Sequence, residues 1–226
     1  MLPDADAVAQ RAAAFIADAA RDAVAARGKF AFAVSGGRTP WQMLSVLAAL
    51  PMPWNETHLF QVDERVAPLG DPDRNFTHIG KCLLSRVTLA PGNMHAMPVN
   101  ATDLAAAATT YADELATIAR TPPTLDLVHL GLGPDGHTAS LVPNDPVLRV
   151  TNAAVAVTAP YQGHPRMTLT FPVLDRARCV LWVVTGAEKV AMLARLLKGD
   201  RDIPAGRVNR DRAVIMADAA AAAGLG

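Results

Sequence analysis

The sequence of 226 residues lacks several features that mark particular classes of protein. No apolar run is long enough to span a membrane, and the two cysteines, Cys82 and Cys179, lie in different contexts, as is typical of free thiols in a reducing compartment. There are 21 basic and 21 acidic side chains, so no excess charge favours binding to nucleic acid or to a membrane surface. The first residues are acidic rather than basic, so we expect no export signal. A binding site for an anion would therefore have to come from a local arrangement of residues and not from the overall charge.

Several catalytic and metal-binding motifs are missing as well. No pair of histidines or cysteines has the spacing of metal ligands, so we expect no metal site. The G-x-S-x-G elbow of serine hydrolases does not occur. The G-K-[ST] ending of a Walker loop is also missing, so a monophosphate is favoured over a nucleoside triphosphate as a ligand.

The most informative pattern lies between Leu125 and Pro143. An apolar stretch predicts a buried strand, which ends in a turn containing three glycines. Asp135 and His137 come out of this turn two residues apart, and we expect Thr138 to Leu141 to begin a helix. Open α/β sheets bind their ligands at the carboxyl ends of strands. We therefore interpret Asp135 and His137 as candidate catalytic residues.

The same turn matches a dinucleotide-binding fingerprint, because Gly131, Gly133 and Gly136 fit G-x-G-x-x-G. Two observations argue against a dinucleotide. Asp135 would place a negative charge against the pyrophosphate, and the next predicted strand, 153–158, is not followed by an acid that could hold a ribose. We favour the catalytic interpretation.

A second candidate site follows the predicted strand Phe30 to Val34. Ser35, Gly36, Gly37 and Thr39 lead from this strand into a predicted helix. Glycines let backbone N–H groups approach an oxygen, and a helix N-terminus adds partial positive charge, so the stretch could bind an anion. On this stretch alone, a simple turn with Thr39 as a helix cap is an equal alternative.

Charged residues follow two further predicted strands. Asp63 and Arg65 come directly after the strand His58 to Val62, and they could line the same crevice as Ser35 or belong to a solvated loop. Lys189 lies in the first turn of a helix, where a cation is unfavourable unless it faces a bound anion or bends into solvent.

The hydrophobic periodicity predicts several elements of an α/β fold. Amphipathic helices are predicted over Ala5 to Arg27 and Thr102 to Ala119. A continuous apolar strand is predicted over Val180 to Thr185, and a last strand over Arg207 to Met216. A short helix is expected from Ala217 to Gly226.

Six motifs, in chain order, resemble those of a known family. They are S-G-G-R-T-P at 35–40, D-E-R at 63–65, G-L-G-P-D-G-H-T-A-S-L at 131–141, R-M-T-L-T at 166–170, V-T-G-A-E-K at 184–189 and P-A-G-R-V at 204–208. The chain resembles the 6-phosphogluconolactonases, within the glucosamine-6-phosphate isomerase superfamily. The glycine-histidine loop is the most specific of these motifs.

The resemblance implies one α/β domain over residues 1–226, a three-layer sandwich with a modified Rossmann-like, mostly parallel sheet. It implies hydrolysis of 6-phospho-D-glucono-1,5-lactone to 6-phospho-D-gluconate in the cytoplasm, without an organic cofactor. The expected partner is this small sugar phosphate, with no nucleic acid or membrane, and the chain is expected to be a monomer or a small homo-oligomer.

The resemblance also suggests roles for the candidate residues. His137 would stand closest to the chemistry, Asp135 could orient it or bind hydroxyls, and Asp63 is a second possible base. The predicted substrate-binding and phosphate-binding residues are Ser35, Gly36, Gly37, Thr39, Arg65, Arg166 and Lys189.

Two other functions stay open from the sequence. The related isomerase-deaminases resemble this chain but carry a tyrosine in place of Arg65 and a glutamate in place of Val142, and valine cannot take part in proton transfer. A non-catalytic sugar-phosphate sensor is also conceivable, although no DNA-binding segment is recognised. Arg65, Val142 and the pair Asp135 and His137 favour the lactonase.

Overall fold

The fold is an α/β architecture, given by a computed structural model that describes residues 1–225. The main elements, in chain order, are α1 (Ala5–Arg27), β1 (Phe30–Val34), α2 (Arg38–Leu47), β2 (Thr57–Gln61), β3 (Asp63–Arg65), α3 (Asn75–Ile79), β4 (Met94–His95), α4 (Leu104–Ala119), β5 (Leu127–Leu130), β6 (Val155–Val157), β7 (Arg166–Leu169), α5 (Phe171–Arg176), β8 (Val180–Val184), α6 (Val190–Lys198), α7 (Pro204–Arg207) and β9 (Ala213–Ala217). Short helical turns cover Trp54–Glu56, Gly80–Leu84, Pro146–Arg149 and Ala187–Lys189. No helix among residues 1–225 has the length and apolar character needed to cross a membrane.

Six parallel strands form the central sheet in the order β4-β2-β1-β5-β8-β9. A smaller antiparallel sheet has the order β3-β7-β6. The chain leaves β1 for β2 on one side and later returns to place β5 on the other side of β1. The strand order therefore reverses between β1 and β5, and this reversal opens a crevice at the carboxyl ends of the strands. The predicted mostly parallel α/β sheet is confirmed.

Strand β1 explains how the sheet separates two apolar cores. All five of its residues are buried. Ala31 and Ala33 pack into one core, with α4 and the small sheet, whereas Phe30, Phe32 and Val34 pack into the other, with α1 and α2. Successive side chains of a strand point to opposite faces, so a strand buried on both faces is apolar throughout.

Helix α1 follows from its caps and its spacing, as the sequence predicts. Asp4 accepts a hydrogen bond from the backbone N–H of Ala7, and Gly28 ends the helix with φ of 74°. The strand predicted over His58 to Val62 is β2, shifted by one residue to Thr57–Gln61, and the three charged residues 63–65 form strand β3 rather than a solvated loop. They pair with β7, so the loop alternative for Asp63 and Arg65 is wrong.

The predicted helix at Thr138 to Leu141 is also wrong. Thr138 and Leu141 instead form an antiparallel bridge around a tight turn, with Ala139 at φ of 51°. The Thr138 hydroxyl donates to the backbone oxygen of Gly131, and the Ser140 N–H donates to Thr168 Oγ1. These long-range hydrogen bonds replace those of a helix.

The end of the chain differs from the prediction in a similar way. Helix α7 occupies 204–207, and strand β9 covers Ala213–Ala217, so the last strand starts later than expected. Residues 219–224 form turns rather than the predicted helix, and the Asp218 carboxylate accepts hydrogen bonds from the N–H groups of Gly186 and Ala221. Gly226, the end of the predicted helix, lies outside the described residues.

Candidate active site

One cleft at the carboxyl ends of β1, β5 and β8 gathers almost all of the predicted site residues. Its volume is about 610 Å³, which is within the usual range for a small-molecule site. Nine predicted residues line it: Ser35, Gly36, Gly37, Thr39, Asp63, Arg65, His137, Arg166 and Lys189. Asp135, the tenth, is not part of the lining and contacts His137.

The loop after β1 has the backbone shape of an anion site. Gly37 has φ of 123°, a conformation that L residues rarely adopt, and helix α2 starts at the next residue. A Cβ on Gly36 would lie 1.8 Å from Oδ1 of Asn75, so only glycine fits there. The buried Ser35 hydroxyl has no hydrogen-bond partner within residues 1–225. The loop therefore combines a buried, unpaired hydroxyl with a helix N-terminus at the edge of the cleft.

Thr39 does not cap helix α2. Its hydroxyl shares a hydrogen bond of 2.6 Å with the hydroxyl of Thr185, which follows β8. The alternative in which Thr39 is a helix cap is therefore wrong. This contact ties the loop after β1 to the loop that leads to Lys189.

His129, on β5, contacts the loop after β1 through a hydrogen bond to Ser35. Its ring is buried, and its Nδ1 lies 3.3 Å from the backbone N–H of Ser35. Burial lowers the pKa of His129 to about 3, so the ring is neutral near pH 7 and its Nδ1 can accept this hydrogen bond. The contact of His129 with Ser35 supports a structural role for this histidine.

His137 and Asp135 form a hydrogen-bonded pair at the cleft. His137 Nδ1 lies 2.5 Å from Asp135 Oδ1, and the backbone N–H of His137 donates to the same oxygen. The ring of His137 is about one-fifth exposed, and its Nε2 makes no hydrogen bond to any residue in 1–225. A Cβ on Gly133 would lie 2.2 Å from this ring, so the glycine at 133 makes room for it.

The charge of Asp135 is stabilised in this pair. Burial alone would raise the pKa of Asp135, but the charge of His137 and hydrogen bonds from His137 and Tyr161 outweigh burial and lower the pKa. Asp135 is therefore an ionised acceptor that fixes the proton of His137 on Nδ1 and leaves Nε2 free to act as a base.

Sequence reasoning missed Tyr161, which completes this pair. Its hydroxyl donates a hydrogen bond of 3.1 Å to Asp135 Oδ2. Tyr161 lies in a loop far along the chain and matches none of the motifs, so the sequence offered no signal for it.

Asp63 lies close to the loop after β1, because Asn75 donates from Nδ2 to the backbone oxygen of Asp63 and packs against Gly36. Its side chain is buried, and Oδ2 accepts a hydrogen bond of 2.7 Å from Ser140. Burial raises the pKa of Asp63, although this hydrogen bond and the charges of Arg166 and Arg65 oppose the rise. Ser140 belongs to the loop that carries His137, so this hydrogen bond links that loop to Asp63.

Glu64 had no predicted role, yet it organises this side of the cleft. Its carboxylate is fully buried and lies 3.5 Å from the guanidinium of Arg74. It accepts hydrogen bonds of 2.8 Å from four donors, which are Gln61 Nε2 and the backbone N–H groups of Arg65, Asn75 and Phe76. These bonds hold Asn75 beside Gly36. The signal in the sequence was the run of charges directly after a buried strand.

Four basic residues line the cleft, and three of them, Arg65, Arg166 and Lys189, were predicted as site residues; the fourth is Arg38. Arg65 donates through Nη1 to the backbone oxygen of Asp73, 2.5 Å away. Arg166 is buried, which lowers its pKa, and its Nη2 lies within 3.4 Å of the backbone oxygen of Tyr161. Lys189 ends the short helical turn Ala187–Lys189 and caps α6, so it lies just before that helix rather than in its first turn as predicted. Their roles in binding stay predictions.

Within residues 1–225, no group of three or more His, Cys, Asp or Glu side chains is arranged to hold a metal ion. Ionisable side chains of both signs line the cleft around the imidazole of His137: three carboxylates, Asp63, Glu188 and Asp218, and four basic groups, Arg38, Arg65, Arg166 and Lys189.

Comparison with known proteins gives a consistent result. The family described as glucosamine-6-phosphate isomerases/6-phosphogluconolactonase matches residues 3–216. The 6-phosphogluconolactonase of Synechocystis sp. is 39% identical over 184 residues, covering 80% of this chain and 76% of that protein. The 6-phosphogluconolactonase of Streptomyces coelicolor is 36% identical over 241 residues, covering 98% of this chain and 92% of that protein.

A solved structure agrees with these relatives. The crystal structure of a 6-phosphogluconolactonase from Thermotoga maritima superposes with a TM-score of 0.85 at 30% identity, and the match covers 96% of each chain. Because sequence and fold agree over most of its length, the chain belongs to the family of glucosamine-6-phosphate isomerases and 6-phosphogluconolactonases.

Proposed function

We propose that this chain is a lactone hydrolase that converts 6-phospho-D-glucono-1,5-lactone to 6-phospho-D-gluconate. The observation that carries the proposal is that the pair His137 and Asp135 shares one cleft with the anion loop Ser35–Gly37. Relatives with this activity in their names, at 34–39% identity, support the choice of substrate.

In the proposed reaction His137 is the general base. Its Nε2 accepts a proton from water as the water oxygen bonds to the lactone carbonyl carbon. The bond from that carbon to the ring oxygen then breaks, and the imidazolium returns the proton to the leaving oxygen. Asp135 stabilises the imidazolium between these steps. General-base assistance of this kind is worth roughly 10²–10⁴ in rate.

Phosphate binding supplies the orientation of the substrate. The Ser35 hydroxyl, the loop N–H groups and the N-terminus of α2 would receive the phosphate, with Arg65 and Lys189 as charge partners. Holding the phosphate at one end of the cleft fixes the carbonyl at the other end, close to His137. Arg166 would contact the sugar or the developing oxyanion.

Asp63 is the second carboxylate of the cleft. Burial raises its pKa and Ser140 holds its Oδ2, so it is a weaker candidate for an ionised base than its type suggests. We assign to Asp63 the binding of sugar hydroxyls.

Val142 argues against an isomerase-deaminase. It is buried and apolar at the end of the histidine loop, where proton relay in those enzymes uses a glutamate. Valine cannot exchange a proton, so His137 would lack that partner. A sensor without catalysis does not need the hydrogen-bonded pair of Asp135 and His137.

A coupled assay tests the proposal. Freshly generated 6-phosphogluconolactone is added with 6-phosphogluconate dehydrogenase, and NADPH formation is compared with spontaneous hydrolysis. We expect strong acceleration with the lactone and no release of ammonia from glucosamine 6-phosphate. The opposite pattern would assign the chain to the deaminases, and no turnover of either substrate would favour a sensor.

We also propose that residues 1–226 act as one domain, in the cytoplasm, as a monomer or a small homo-oligomer. The motifs that line the cleft are spread from Ser35 to Lys189, which supports one domain. Light scattering coupled to gel filtration would give the mass of the particle.

A further inference from the structure

Tyr161 is the one side chain besides His137 that donates to the carboxylate of Asp135 within residues 1–225. Its hydroxyl lies 3.1 Å from Oδ2, while Oδ1 faces His137 Nδ1 at 2.5 Å. The two oxygens of Asp135 therefore have different partners. Because Asp135 is about one-third exposed, its carboxylate would otherwise be free to turn toward solvent.

The ring of Tyr161 is held in place by its neighbours. Tyr161 and His164 exchange backbone hydrogen bonds of 2.9 and 3.3 Å in a tight hairpin. The guanidinium of Arg166 lies 5.0 Å from the centre of the Tyr161 ring, within the range of a cation–π contact. The ring of His137 meets the Tyr161 ring at an interplanar angle of 71° and a centroid distance of 5.6 Å.

We propose that Tyr161 is a positioning residue for the hydrolysis, acting on His137 through Asp135. A hydrogen bond to Oδ2 prevents rotation of the carboxylate, so Oδ1 stays aligned with Nδ1 and the base nitrogen Nε2 stays directed at the cleft. Partners one step removed from a functional histidine commonly set its tautomer and ring orientation. The inference rests on the proposed lactonase function, because it concerns the same site.

The variant Tyr161→Phe tests this role, because it keeps the ring contacts with Arg166 and His137 and removes only the hydroxyl. We expect kcat for the phosphorylated lactone to fall about 10- to 100-fold with KM nearly unchanged. We also expect ¹⁵N NMR of the His137 ring to show a smaller fraction of the tautomer protonated on Nδ1.

The only other tyrosine provides a matched control. The hydroxyl of Tyr111 is buried and bonds the backbone of Gln61 and His95, away from the cleft. Tyr111→Phe should lower thermal stability while kcat and the His137 spectrum stay as in the wild type. This separates loss of a phenol hydroxyl in general from loss of the one at Asp135.

A double-mutant cycle tests whether Tyr161 acts on His137 through Asp135. If Tyr161 acts through Asp135, then Tyr161→Phe should cost little further activity in an Asp135→Asn background. Equal losses in both backgrounds, or a Tyr161→Phe variant with wild-type kcat and tautomer populations, would overturn the proposal. The NMR measurement needs no substrate, so it decides the role of Tyr161 even if the wild type proves inactive on the lactone.

Discussion

Gly36 and Asn75 pack so closely that a Cβ on Gly36 would lie 1.8 Å from the Asn75 side-chain oxygen. Asn75 is fixed in turn, because its Nδ2 donates to the backbone oxygen of Asp63 and its N–H donates to Glu64. The anion loop and the buried carboxylate Glu64 are thus one packed unit, and the shape of the loop depends on residues well beyond it.

Replacing Gly36 with alanine should therefore push the anion loop away from Asn75. We expect KM for the phosphorylated lactone to rise and the unfolding free energy to fall by about 1–3 kcal/mol, the usual range for an overpacked site. Steady-state kinetics and urea unfolding measure the two effects.

Gly80→Ala is the matched control, because a Cβ there meets nothing within 4 Å and the backbone is helical. It should leave KM unchanged. If Asn75→Ala, added to Gly36→Ala, fails to recover any of the lost stability, the proposed clash is not the cause.

His137→Ala should remove most lactonase activity. We expect kcat to fall roughly 10²–10⁴-fold, because Nε2 is the proposed base. Binding of 6-phosphogluconate, measured by calorimetry, should persist, since the anion loop is untouched. His58→Ala serves as the control, because His58 bonds His95 and does not line the cleft. A His137→Ala enzyme with near-normal turnover would refute the assignment.

Lys189→Met should weaken recognition of the phosphate. Losing a charge-assisted contact should raise KM for the phosphorylated lactone roughly 10- to 100-fold, with the rate on non-phosphorylated gluconolactone little changed. Lys198→Met, on the exposed end of α6, is the control and should behave as the wild type. Equal effects on both lactones would mean that Lys189 does not bind the phosphate.

The buried His129 should make the fold sensitive to acid. Burial lowers its pKa to about 3 in the folded chain, against 6.5 for an ordinary histidine, so between these values the unfolded chain binds a proton that the folded chain does not. Stability is therefore full above pH 6.5 and falls as the pH drops, by about 1.4 kcal/mol per pH unit for this group.

Urea unfolding at pH 7 and pH 5 measures the effect. His129→Gln should lower the unfolding free energy at pH 7, since the hydrogen bond from Ser35 is altered. Between pH 7 and pH 5, however, the unfolding free energy of this variant should fall by about 2 kcal/mol less than that of the wild type. Parallel losses in both proteins would show that His129 is protonated in the folded chain.

The sequence pattern correctly predicted the elements that depend on interactions between residues close together in the chain. Helix α1 matches its predicted bounds because apolar spacing, the Asp4 cap and Gly28 all agree. The meeting of Ser35, Asp63 and His137 in one cleft was also predictable, because each follows a strand at the sheet's carboxyl edge.

The features that depend on long-range contacts were not predictable from pattern alone. The turn at Thr138 to Leu141 replaces a helix because Gly131 and Thr168 supply its hydrogen bonds. The roles of Glu64 and Tyr161 depend equally on partners brought in from other segments. A single sequence contains the donors and acceptors but not their pairing.

The hydrogen bond between Thr39 and Thr185 has a consequence for biosynthesis. During translation Thr39 leaves the ribosome long before Thr185, so a nascent chain has the loop after β1 without the residue that is hydrogen-bonded to it in the folded protein. A truncated product that ends before β8 would keep the glycine loop but could not close it.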